Sequence, residues 1–365
     1  MNKLVLRVLG VGLLAGISWS CQERDPEPQQ AYDNGVFVLN AGNFTDNNGS
    51  ISFFNREKTT AEGDIFFKEN GAALTGGVQG YAEGGGYGLI LVDNSTAGQD
   101  KVEIVNSGTF KREATLAAPD IENPRSVVVV NATKAYVACW DATGDFSNFY
   151  KNPGYIAVVD LVTKKVTKKI AVNKGAERMV QVGNDVYLGY VGDANSITVI
   201  DAGTDAIKRS IQVGTAPNPI AVDANGKIWV SSGKEVVRIN PQSNAVETTL
   251  KVGSDLRKSA SHFAMSPDRQ NIYFLYSFYD AADGYKQKGE VYRFSINDTS
   301  ISATQPFANR VFSGLSVDPM QGLIYAGVTP SFKQSGYVLR YRTDGSVVDS
   351  VKVEIAPSGF YFKQK

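Results

Sequence analysis

Histidine occurs once in the 365 residues, at His262, and cysteine only twice, at Cys21 and Cys139. A structural zinc site draws four ligands from Cys and His, so this chain has no set to offer one. No Ser–His–Asp arrangement stands out, and no pair of carboxylates is singled out by spacing. Positive evidence for catalysis is therefore missing, and a non-enzymatic protein is expected. Charge of one sign is missing too: 37 Lys and Arg offset 37 Asp and Glu. Nucleic-acid binding needs a basic stripe, so no nucleic-acid partner is expected. Beyond the first 20 residues no apolar run is long enough to cross a bilayer.

That first stretch has its own logic. Lys3 and Arg7 precede the apolar run Val8–Ile17, too short to span a membrane and matched to a signal peptide. Ser18-Trp19-Ser20-Cys21 follows and resembles a bacterial lipobox, in which the cysteine is acylated and becomes the mature N-terminus. Residues 1–20 are then lost and Cys21 anchors the chain to lipid. Cys139 would be the one remaining thiol, which excludes an intramolecular disulfide. Residues 21–31 comprise this cysteine and a polar, proline-bearing tether, and residues 32–365 form a single domain.

What the domain has is repetition. Ile156–Asn173, Ile197–Gly214 and Val236–Gly253 align without a gap. Asp160, Asp201 and Asn240 share one turn position in that alignment, a period near 40 residues. Each repeat reads as four short strands separated by turns, the signature of propeller blades. A four-stranded sheet cannot cover both its faces, so the blades must stack. The all-β reading gives seven blades. Blade one opens at Val36–Asn40 and continues through Ser50–Phe54 to a weaker outer strand near Asp64–Phe67. Blade two runs Val78–Leu116, blade three Arg125–Val172, blade four Arg178–Val213 and blade five Pro219–Val252. Blade six starts at Phe263 and blade seven at Phe312. The strand left over, Ser358–Phe362, supplies the inner strand that blade one lacks and closes the ring, removing an exposed edge. Gly84-Gly85-Gly86 opens no helix and reads as a turn rather than a phosphate loop.

Long insertions follow the second strand in blade three (Trp140–Gly154) and blade six (Phe278–Lys288). Trp140, Phe146, Phe149, Tyr150 and Tyr155 crowd the first; Tyr276, Phe278, Tyr279 and Tyr285 crowd the second. Phe44 and Phe332 occupy the equivalent loops of blades one and seven. Rings in loops either fold back as local cores or form a recognition surface for a broad, partly apolar ligand. In a propeller this face also carries the channel mouth. Gln79, Arg125, Arg178, Asn218, Ser261 and Ser313 stand where inner strands begin and would orient amide or carboxylate groups. Arg125 and Arg178 either do this or pair with carboxylates such as Glu122 and Glu177. His262, at the start of blade six's inner strand, is either a satisfied structural histidine or a channel-facing one that ligates a metal centre in a bound cofactor.

PNPIAVDANGKIWVSSGK, NPRSVVVVNATKAYVACW and the endings IQVG and LKVG resemble YVTN-type seven-bladed propeller repeats. The opening GVFVLNAGNFTDNNGSISFFN, after a lipoprotein leader with an acidic tether, resembles the Bacteroidetes BtuG-type surface lipoproteins. The resemblance implies capture of cobalamin or related corrinoids at the cell surface, with no resident cofactor. It also implies delivery to a TonB-dependent outer-membrane transporter. Two other classes stay open on the residues themselves. One is an adhesive or scaffold propeller that meets a protein or glycan. The other is a lactonase-like enzyme, which would need metal-binding carboxylates around the channel.

Overall fold

Continuous apolar runs such as Leu89–Val92 and Tyr155–Val159 suit a strand covered on both faces, and such strands lie at the centre of every sheet. The computed structural model describes residues 31–141 and 150–363. It folds these into seven antiparallel sheets arranged as a propeller. Blades two, three, four, five and seven each have four strands in sequential order. Their inner strands are Gly77–Gly84, Pro124–Asn131, Ala176–Val182, Asn218–Val222 and Gly314–Val317. Outer strands such as Ala206–Gln212 are almost wholly exposed.

Seven apolar clusters among the described residues each bridge two neighbouring blades. Between blades four and five, Ile197 and Val199 meet Val230, Val237 and Ile239. Between blades six and seven, Tyr273 and Leu275 meet Ile324 and Tyr341. Stability thus resides in the contacts between repeats rather than within any one.

The shared turn position has a physical cause. Asp201 Oδ1 accepts from the backbone of Gly203 and Thr204 at 2.8 and 2.9 Å. Asp160 does the same with Val162 and Thr163, and Asn240 with Gln242 and Ser243. Four residues after each, Lys164, Asp205 and Asn244 take left-handed backbones. Asn106 and Phe110 build the same turn in blade two. A side-chain acceptor that bonds its own backbone two and three residues on is what an Asx turn needs. The triple glycine is a turn as well, with Gly85 and Gly86 at φ 60° and 85° between two paired strands.

Closure follows the expected route. Pro357–Phe362 pairs with Val36–Asn40, placing Phe37 opposite Tyr361 and Val38 opposite Phe360. A polar latch reinforces it. Arg56 Nε reaches Asp318 of blade seven at 2.7 Å, and Arg56 Nη2 donates to the Lys363 carbonyl at 2.8 Å. Lys363 Nζ in turn meets Glu83 of blade two at 2.7 Å.

Two elements differ from the sequence reading. Asp64–Phe67 is not an outer strand: Ile65–Asn70 is a helix. Asp64 caps it by accepting from Phe67 N at 3.1 Å, and Gly71 ends it in the left-handed conformation. Ile65 and Phe66 are buried between blades one and two, so caps and burial outweigh strand pairing. In blade six, Phe278–Lys288 is no irregular loop. Asn271–Asp280 and Lys286–Ser295 continue the sheet outward as a hairpin, with Phe278 opposite Lys288 and Tyr279 opposite Gln287. That blade has three strands among the described residues, and Ile301 and Ala308 cover its flank through single bridges to Val252 and Val291.

Candidate functional site

Inner strands in this ring are seldom regular. Six of the seven shift register near the start, and the residues passed over are Gln79, Arg125, Glu177 with Arg178, Ile220, His262 with Phe263, and Ser358. A bulge adds a residue without a ladder partner and re-aims its side chain, which is why bulges gather beside binding sites. Four of the channel-mouth residues named from sequence, Gln79, Arg125, Arg178 and His262, are these bulged residues. Asn218 stands just before another bulge, and its Oδ1 accepts from Arg178 N at 3.2 Å.

Arg125 is held on every side. Its Nε lies 3.3 Å from Glu177, its Nη1 3.4 Å from Asp93, and its guanidinium sits 4.0 Å over the Trp140 ring. The pairing is with Glu177, one of the two carboxylates foreseen. Trp140 packs edge-on against Tyr150 at 5.2 Å, and Tyr150 lies against Gly192 of blade four. Trp140 Nε1 is buried with no hydrogen-bond partner among the described residues. Phe146 and Phe149 lie outside the described residues, as does Cys21. Tyr155 is buried, and its hydroxyl donates to the Asp120 carbonyl at 3.2 Å. Cys139 is buried beside it, and burial pushes its thiol up to about 12, which makes it unreactive.

Asp93 and Asp100 were not read from the sequence, where LVDNSTAGQD looks like an ordinary polar turn. Asp100 accepts from Asn94 N and Asn123 N at 2.7 and 3.0 Å. Asp93 accepts from Gln79 Nε2 at 3.2 Å through one oxygen, while Oδ1 is buried without a partner among the described residues. Burial pushes the Asp93 carboxyl up to about 7, and the adjoining Asp100 adds to the rise against the opposing pull of Arg125. Protonated, Asp93 can donate to Asp100 and satisfy the orphaned oxygen.

Across the inner strands the environment changes. The Arg178 guanidinium makes no hydrogen bond or ion pair among the described residues. It is open to water yet walled by protein, and that desolvation lowers its pKa against the pull of Glu177. His262 is likewise accessible and holds a left-handed backbone at φ 48°. Crowding, then the charge of Arg178, depress the imidazole pKa, so it is neutral at pH 7.

The blade six and blade seven rings form a third region. A groove of about 750 Å³ is lined by Tyr279 and Tyr285 from the hairpin and by Phe332 and Tyr337 from blade seven, with Arg310 and Ser313. Its outer wall is pinned by Lys288 to Asp280 at 2.7 Å, and Gly284 and Tyr285 turn its tip with positive φ. Ser313 Oγ donates to the Pro357 carbonyl at 2.7 Å, tying the groove floor to the closing strand. Tyr337 escaped notice in the sequence because it sits inside a strand; its alternation with buried Val338 puts it on the outer face.

The remaining residues lie elsewhere. Tyr276 is packed between blades five and six, with its hydroxyl on the Asp255 carbonyl at 2.9 Å. Phe278 is half-buried under Arg257, whose guanidinium is 4.6 Å from the ring. Phe44 is exposed on the blade-one loop, and Ser261 is half-buried in the inner strand of blade six. Among the described residues no group of three or more His, Cys, Asp or Glu could hold a metal ion.

Comparison with solved structures returns other propellers. A quinoprotein alcohol dehydrogenase-like protein from Bacteroides thetaiotaomicron is 17% identical with a TM-score of 0.64, over 91% of this chain and 79% of that one. A functionally unknown protein from Desulfotomaculum acetoxidans is 12% identical with a TM-score of 0.60, over 90% and 98%. Hydrazine synthase from Kuenenia stuttgartiensis is 18% identical with a TM-score of 0.56, over 77% and 88%. Identities this low speak for the fold alone. No curated protein matches. Residues 34–363 match the family described as Domain of unknown function (DUF5074), and with almost the whole propeller inside that match the chain belongs to this family.

Proposed function

We propose that the protein is a non-catalytic binding propeller whose rim between blades six and seven receives a broad, partly apolar ligand. A corrinoid is the ligand that the sequence resemblance suggests. The observation that carries the reading is the groove itself: Tyr279, Tyr285 and Phe332 line it while 66%, 71% and 59% exposed. Rings left this exposed, two on the salt-bridged hairpin and one on blade seven, bury little in the free protein, and each would gain on the order of 100 Å² of contact from a partner. A corrinoid is larger than the groove and would lie partly over the channel mouth, where Gln79, Asn218 and Ser313 offer groups suited to its amides. Acylated Cys21 and the tether would hold the propeller at the outer-membrane surface, where a TonB-dependent transporter would take the ligand onward.

Calorimetric titration of the protein with cyanocobalamin tests the ligand. Wild-type binding is expected, and Tyr279→Ala or Phe332→Ala should cost about 2 kcal/mol of affinity. No detectable wild-type binding removes the corrinoid assignment, and full affinity in both variants moves the site off this groove. Cys21→Ala should release the protein from the membrane fraction; a retained variant would rule out the lipid as its main attachment.

A further inference from the structure

Two arginines occupy matching bulges on neighbouring inner strands, and their surroundings are opposite. Arg125 has two carboxylates and an aromatic face. Arg178, one blade further on, has none of these among the described residues, because Glu177 turns its carboxylate back to Arg125. The Arg178 side chain is solvent-accessible and its guanidinium has no acceptor among the described residues, so its fork is free to take an anion. Around it stand donors. His262 sits in the bulge of blade six's inner strand, and a non-glycine residue held at φ 48° keeps a strained backbone of the kind found at ligand-holding positions. Asn218 spends its Oδ1 on Arg178 N, leaving its amide hydrogens toward other acceptors. Ser261 adjoins His262 with a hydroxyl that has no partner among the described residues.

We propose that the channel holds an oxyanion subsite, separate from the rim groove, in which Arg178 with His262 and Asn218 receives a carboxylate or phosphate group. The planar guanidinium takes two oxygens of the anion side by side, and His262 and Asn218 donate to the remaining lone pairs. Glu177 pulls on Arg178 without forming an ion pair with it, so the guanidinium keeps its charge available to an anion arriving from solvent. A ligand could present the group as part of a larger molecule lying over the face, or the anion could enter alone.

The single histidine makes the test direct, because its imidazole proton resonances need no assignment among others. The full chain is titrated with inorganic phosphate and, separately, with acetate while those resonances are followed against pH. Either anion should raise the His262 pKa by neutralising Arg178, and saturation should give its affinity. Response to phosphate alone assigns the subsite to phosphates, and response to both assigns it to carboxylates as well. Arg178→Gln should raise the His262 pKa without any anion and weaken anion binding about tenfold or more. Should that variant fail to fold, Arg178→Lys keeps the charge but loses the fork and should weaken binding severalfold. A histidine signal indifferent to both anions overturns the subsite. So does an anion response of wild-type size in the folded glutamine variant, or in the lysine variant where only that one folds.

Discussion

The seam that closes the ring and the rim between blades six and seven draw on the same residues, phenylalanine and tyrosine, and use them in opposite ways. At the seam, Phe37 meets Phe53 and Phe110 at 5.2 Å each, and Tyr361 meets Tyr81 at 5.0 Å. On the seam's other face, Tyr325 meets Phe362 at 5.0 Å. Phe37, Phe110 and Tyr325 are wholly buried. At the rim, Tyr279, Tyr285, Phe332 and Tyr337 surround space instead of one another. The difference is one of position. A ring on a strand between two blades has a partner on each side, whereas the blade-six hairpin runs past the sheet edge into solvent. Aromatic content alone therefore does not separate a core from a binding surface; what lies across from the ring does.

Breaking the seam should have the largest effect. Deleting residues 357–365 removes three rings and leaves Val36–Asn40 as an unpaired edge while opening the Arg56–Lys363 latch. Loss of cooperative melting, or aggregation on a sizing column, is expected. A truncated chain that melts like the full one would sink the closure. Phe37→Ala keeps the strands but empties the middle of the aromatic cluster, and about 3–5 kcal/mol of stability should be lost in denaturant unfolding. A loss under about 1 kcal/mol would mean that the cluster repacks and the seam is no more specialised than the rim.

The acid pair at the channel mouth lies between these extremes, buried like the seam yet polar. Burial raises the folded pKa of Asp93 from 3.8 to about 7. The folded chain therefore holds this proton more tightly than the unfolded one. Its contribution to stability is full below the unfolded value and is lost as pH rises through the folded value. Melting temperature should fall between about pH 4 and about pH 7, and Asp93→Asn should flatten that fall. An unchanged slope in the variant would assign the pH dependence to other groups.

How much of this could be read in advance follows from the range of the interactions. Asp160, Asp201 and Asn240 were legible because each builds its turn from hydrogen bonds to its own neighbours. The leftover strand at the end of the chain was legible because a closed ring leaves no strand over. The helix at Ile65–Asn70 was missed although Asp64 and Gly71 bracket it in the sequence, since the propeller pattern favoured an outer strand there. Arg125 and Arg178 could be placed at the starts of inner strands, but neither their bulges nor their unequal pairing could be read. Glu177 precedes Arg178 in sequence and bonds a residue 52 positions away. Tyr276 and Tyr279 look alike in sequence, yet one is core and the other rim, because the ladder register decides which passes the sheet edge.

Removing rim rings should have the smallest effect on folding. Tyr279 is more than half exposed, lies on the extended part of the hairpin, and belongs to none of the apolar clusters between blades. Phe332 stands on a loop of blade seven with the same standing. Little apolar area leaves water when such a ring folds into place, so its truncation to Ala should change stability by less than about 0.5 kcal/mol. The double variant should also be additive if the rings do not touch in the free protein. Denaturant midpoints of Tyr279→Ala, Phe332→Ala and the double variant measure both points. A loss of about 2 kcal/mol or more in either single variant would show a ring that serves the fold, as the seam rings do. Coupling between the two, with stability otherwise intact, would show instead that the groove closes on itself when empty. Stability unchanged throughout leaves these rings with no structural task, as the proposed contact with a ligand requires.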